Sequence, residues 1–154
     1  MKTLFALLLL ATSFPSASRT SWMRPDAFHL AVGMPRAEVV KALDKWTMKP
    51  GKDKNELVVD YSEDKALTLE FRNDRLTSIR FELFTYINGV RGAFDEERKY
   101  LREAHGEPRM STKSILIYDN TLPNVMVVVT DDPKTEQGQK GLGVLAVRYY
   151  DPRT

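Results

Sequence analysis

His29 and His105 are the only imidazoles in the chain, and there is no cysteine. The two histidines lack the H-x-H or H-x-x-x-H spacing of a metal pair, and no thiolate is present to complete one. No Ser or Cys nucleophile motif accompanies either imidazole, and G-x-S-x-G, P-loop and G-x-G-x-x-G patterns are absent. His105 falls at the expected end of a helix, where a cation meets the negative end of the dipole. Asp95, Glu96 and Glu97 could be a calcium or general-acid cluster, but acids at a helix start are explained by the same dipole. Tyr61-Ser62-Glu63-Asp64 reads as a loop between strands, and Asp131-Asp132 before Pro133 as turn chemistry. Gly138, Gly141 and Gly143 lack the strand-then-helix setting of a phosphate cradle and read as a hairpin loop. No catalytic, cofactor-binding or metal-ligating residue is therefore expected.

Such residues have to be held by something, and the hydrophobic pattern says what. Gly33-Met34-Pro35 opens a helix with Pro at its first position. Val39, Val40, Leu43 and Trp46 form an apolar stripe between Arg36, Glu38, Lys41 and Lys45, and Lys49-Pro50-Gly51 ends it. Three alternating runs follow, carrying Leu57-Val59-Tyr61, Leu67-Leu69-Phe71 and Thr77-Ile79-Phe81-Leu83. Asn73-Asp74 between the last two tolerates the left-handed backbone of a tight hairpin turn. Residues 88–92 read as a connector, Phe94 to His105 as a second helix, and 114–119, 124–130 and 143–150 as strands.

The order helix, strand, strand, strand thus occurs twice. Glu38, Lys41, Leu43 and Pro50 fall on Glu96, Lys99, Leu101 and Pro108, all identities, and Leu67-Leu69-Phe71 fall on Val125-Val127-Val129. An internal duplication is inferred. Each unit is too small to bury a good core alone. The expected fold is therefore α+β, a two-layer sandwich: two tandem helix–three-strand units form one antiparallel sheet with both helices on one face.

Lys2, the apolar run Leu4–Ala11 and the small residues Ser16-Ala17-Ser18 follow the order of a secretory signal peptide, with Ser16 and Ser18 at the −3 and −1 positions. An anchor needs about 20 apolar residues, so no membrane-spanning segment is expected after cleavage. The organisation is read as signal peptide 1–18, arm 19–32, first unit 33–84 and second unit 93–150, in one compact domain. The protein is expected in the periplasm or secreted. Lacking Cys, it is not expected to be a lipoprotein. With 23 Lys+Arg against 21 Asp+Glu, nucleic-acid binding is not expected.

The two halves differ on the face turned away from the helices. In the first half that face carries charges of both signs, including Glu70, Arg72, Arg80 and Glu82. In the second, a register turning Ile115, Ile117, Val125, Val127 and Val129 inward turns Leu116, Tyr118, Met126, Val128 and Tyr150 outward beside Arg148. These six, Leu116, Tyr118, Met126, Val128, Arg148 and Tyr150, are the candidate partner-binding face. Either they are bare, or the arm with Trp22, Met23, Phe28 and Leu30, or the loop 133–143, covers them. Trp46, closing the first helix stripe, is expected in the core.

Val32-Gly33-Met34, Glu38-Val39, Leu43, Tyr61, Leu67-Leu69-Phe71 and Asn73-Asp74-Arg75-Leu76 together give the stretch 28–83 its character. It resembles the SmpA/OmlA (BamE) family of outer-membrane assembly factors, and the related helix–meander unit of secreted β-lactamase inhibitor proteins. Pro35 stands where that pattern has a capping Thr or Ser, and the lipobox Cys is absent. The resemblance implies a non-enzymatic module that binds an envelope or extracellular protein, without a cofactor. Two alternatives stand beside it: a small-molecule or lipid carrier with a cavity between sheet and helices, and an enzyme of another class.

Overall fold

The computed structural model describes residues 18–131 and 141–153. After a 3-10 turn at Pro25–Phe28, the chain forms α1 (Arg36–Ala42), β1 (Thr47–Pro50), β2 (Glu56–Ser62), β3 (Lys65–Arg72) and β4 (Arg75–Tyr86). It continues as α2 (Ile87–His105), β5 (Met110–Ser111), β6 (Ile115–Tyr118), β7 (Asn124–Asp131) and β8 (Leu142–Tyr150). All strands join one antiparallel sheet in the order β1-β2-β3-β4-β8-β7-β6-β5. Strands β4 and β8 meet at its centre, and β1 and β5 are its edges.

This corrects the expected architecture. The sheet has eight strands, and with 43% strand against 24% helix it dominates the molecule, so two helix–three-strand units are not the building plan. The two unforeseen strands are the edges. β1 holds Lys49-Pro50, which reads as a helix stop. Pro can still end an edge strand, where a missing donor does little harm. The helices are also unequal. α1 has seven residues, whereas α2 has 19 and packs across β4, β7 and β8.

α2 starts at Ile87, so the expected connector 88–92 is its first turns. Gly89 and Gly92 argue against a helix by propensity, but Val90, Ala93, Phe94 and Leu101 fall on one buried face and packing wins. Asp95, Glu96 and Glu97 consequently lie well inside the helix, and the dipole argument for them fails. Asp95 pairs with Arg98 at 3.6 Å, Glu96 reaches the arm, and Glu97 is buried.

Much of the inner face of β2–β4 is covered by the arm. Trp22 stacks on Tyr61 with centroids 5.4 Å apart and meets Phe81 edge-on at 5.9 Å. Phe28 touches Tyr61, Phe81 and Trp46. Trp46 is not the buried residue expected: it is 37% exposed and closes the rim of this aromatic group. Met23, Phe28 and Leu30 share a continuous interior with Leu69 and Val127. Each large side chain so buried contributes about 1.5–3 kcal/mol.

Two local devices fix the register. Asn73 and Asp74 take φ values of 50° and 60°, the two-residue turn foreseen from their types, and the backbone of Asp74 accepts the amide of Arg36 at 2.8 Å. Gly143 lets α2 approach β8: a Cβ there would lie 2.9 Å from Ile87 Cδ1 and 3.2 Å from the Thr130 carbonyl oxygen. Backbone cannot give way as a side chain can. Gly143→Val is expected to lower stability by about 1–3 kcal/mol, read from the denaturation midpoint. An unchanged midpoint would show that the contact is loose.

Candidate functional site

β6 reads Ile-Leu-Ile-Tyr, apolar on both faces, so alternation alone does not say which pair turns inward. Pairing with β7 decides it. Leu116 sits opposite Val127 and Tyr118 opposite Val125, while Ile115 faces Val128 and Ile117 faces Met126. Val125 and Val127 are core residues, and Leu116 and Tyr118 are 0% exposed with them. Two of the six candidate residues are therefore core, and the outward places belong to Ile115 and Ile117. A one-residue slip flips every side chain of a strand, and that is the whole error.

Met126, Val128, Arg148 and Tyr150 do lie on the outer side, partly exposed. One row runs across the sheet through Met110, Ile117, Met126, Arg148, Arg80 and Thr68. The next runs through Ile115, Val128, Ala146 and Glu82. A third joins Val144 to Phe84. The half built from β5–β8 is thus mostly apolar, while the β2–β4 half carries charge. Met110 and Phe84 stand 41% and 42% exposed at its two sides. Sequence reading passed over Phe84, Val144 and Ala146, although each alternates with a core residue.

Arg148 marks the border between the halves. It donates to Ser78 Oγ at 2.7 Å and to Glu70 Oε2 at 2.9 Å, and its guanidinium lies 5.5 Å from the Tyr150 ring centroid. Arg80 approaches Glu82 at 3.8 Å. These pairs hold the cations of the central strands flat against the sheet. The arm does not cover the apolar half, because its aromatic side chains meet Phe81 on the other face. Of the loop 133–143, residues 133–140 fall outside the described residues, as does most of the expected signal segment. So does Gly138, while the turn reading at Asp131-Asp132 falls there in part.

Along the edge of this face Glu63, Asp64, Phe84, Leu142 and Val144 line a shallow cleft of about 280 Å³. Asp64 accepts the Ser62 hydroxyl at 2.7 Å, which holds its carboxyl below the usual range. On the opposite side, Pro25, Asp26, Leu30, His105, Pro123 and Tyr149 line an open cleft of about 400 Å³. His29 and His105 are both exposed and far apart in the chain, and no cluster of His, Asp and Glu fit for a metal occurs among the described residues. His105 lies beside Tyr118, ring centroids 5.9 Å apart.

The strongest electrostatic anomaly lies beneath the sheet. Glu97 is 0% exposed, with both carboxyl oxygens sealed from solvent and the Thr20 hydroxyl beside them. Burial pushes its carboxyl up to about 7, against the pull of the Thr20 hydroxyl and then of Arg24, and with a small push from Glu96. Tyr149, buried nearby, is raised by the same desolvation and by Glu97. Arg24, whose guanidinium covers the Tyr100 ring at 3.4 Å, is the nearby cation.

Among the described residues, fold and surface together define a one-sided antiparallel sheet, covered on its inner face and partly exposed on an apolar half of its outer one. No family model, curated protein or solved structure matches the chain.

Proposed function

We propose that this chain is an exported, non-enzymatic binding module that holds another protein against the outer face of β5–β8. The observation that carries the reading is the apolar field around Ile117, Met126 and Val128, which no described residue covers fully. Contiguous apolar surface rimmed by charge is the ordinary mark of a protein interface. Met110 and Met126 suit a surface that adapts to its partner.

The sheet edges favour docking on the face. β1 has four residues with Lys49 and Pro50, and β5 has two, so neither presents a long row of free donors and acceptors for strand addition. Among the described residues no helix is long and apolar enough to cross a membrane. The leader-like residues 1–18 and the likeness of 28–83 to envelope assembly factors and secreted inhibitors support the same setting.

The test is crosslinking in an envelope fraction with the double variant Ile117→Thr, Met126→Gln, which adds polarity without placing like charges opposite each other across β6 and β7. Both positions face outward, so the fold is expected to keep its thermal midpoint within about 2 °C. The crosslinked partner band is expected to disappear. A band that survives in a folded variant sinks the proposed surface. The cleft of about 400 Å³ at Leu30, His105 and Tyr149 favours the carrier reading, and a copurifying small molecule in native mass spectrometry would choose it instead.

A further inference from the structure

Ser18 and Arg19 are exposed, whereas Thr20 is fully buried and Met23 is in the core. Among the described residues, burial therefore begins one residue past the junction Ser18–Arg19 that the signal pattern singles out. The backbone nitrogen of Arg19 donates to Glu96 Oε2 at 3.0 Å, and the Ser18 hydroxyl reaches the same oxygen at 3.3 Å. On the other side the Arg19 carbonyl accepts the Trp22 indole N–H at 3.0 Å. The atom that cleavage would turn into a new terminus is already held by a carboxylate.

We propose that Ser18–Arg19 is the processing junction and that Glu96 is the seat of the α-ammonium it creates. This rests on the reading of the chain as exported. A processing peptidase adds water across the bond. The carboxylate stays on Ser18 of the released leader and the amine stays on Arg19, taking up a proton at neutral pH. A neutral amide N–H on Glu96 thereby becomes a cation on an anion, a stronger hydrogen bond at the same distance. A cut one residue further in would remove the Arg19 nitrogen that Glu96 holds, and deeper cuts would remove buried Thr20 and then the core residue Met23. The charge pins the arm to α2, and the arm shields the aromatic group of Trp22, Phe28 and Phe81. Glu96 is thus a positioning residue for the mature terminus.

The experiment compares the exported chain with the unprocessed full chain purified from inside the cell, each with and without Glu96→Gln. Intact mass of the exported chain is expected to show a start at Arg19. At low salt, Glu96→Gln is expected to lower the thermal midpoint of the processed chain by about 2 °C more than that of the unprocessed chain. The extra loss should vanish in 1 M salt. In the processed chain the α-amine should titrate above its usual value of about 8, and return to it in Glu96→Gln. A start elsewhere overturns the junction, and absence of any cleaved, exported chain overturns the export reading itself. A start at Arg19 with equal losses in both forms and an ordinary amine overturns the seat alone.

Discussion

Glu97→Gln is expected to flatten the pH dependence of stability between pH 4.5 and 8, a span over which the natural chain loses about 3 kcal/mol. The folded carboxyl binds its proton near pH 7 and the unfolded one near 4.5, so the native state holds a proton that the unfolded chain has released. Stability from this group is complete below pH 4.5, falls as pH rises to about 7, and changes no further above it. The cause is desolvation: both oxygens are buried, the charged form has lost its water, and the Thr20 hydroxyl and Arg24 restore only part of what is lost. The amide of Gln has nearly the same shape and no charge to desolvate. Chemical denaturation at pH 5 and pH 8 reads the result. The variant should match the natural chain at pH 5 and exceed it at pH 8. Asp64 and Asp151, whose carboxyls are lowered, act only below pH 4 and leave this window clear. A natural chain equally stable at both pH values would mean that Glu97 finds water or a cation, and the buried, desolvated carboxylate would be wrong.

The legible parts of this fold were those where chemistry is local. Asn73-Asp74 specified its turn because few residue pairs tolerate two positive φ values. β3, β4, β7 and β8 were legible because one face had to be buried and the other in β3 and β4 was polar. The errors share a physical form: long-range packing settled what local pattern left open. Gly89 and Gly92 belong to α2 because Ile87 and Val90 find Gly143 on β8, a contact with a residue more than fifty positions away. Thr47–Pro50 is a strand because β2 accepts it. Glu97 looked like one of three acids at a helix start, yet it sits on the buried face with Phe94 and Leu101. The candidate surface was read on the correct side of β7 and β8 and on the wrong side of β6, where no polar residue gave a sign.

That last error makes the most discriminating pair of substitutions. Leu116→Ala is expected to cost about 2–5 kcal/mol, and Ile117→Ala, one residue along, less than about 1 kcal/mol. Leu116 is enclosed beside Val127, so truncation leaves a cavity that close-packed neighbours refill only in part. Ile117 lies beside Met126 on the open face, where the vacated space fills with water. Binding should reverse the order: Ile117→Ala weakens partner capture, whereas Leu116→Ala leaves it intact in whatever fraction stays folded. Urea midpoints and crosslinking yields on the same two proteins read both orders at once. If Ile117→Ala proves the more destabilising, β6 lies in the other register and the outward face is Leu116 and Tyr118. If the stabilities fall as stated but capture is untouched by Ile117→Ala, the strand is placed correctly and the partner does not reach it. The two residues are alike in size and chemistry, so only the side of the sheet distinguishes them, and the apolar face that carries the function is fixed by which of them the core has claimed.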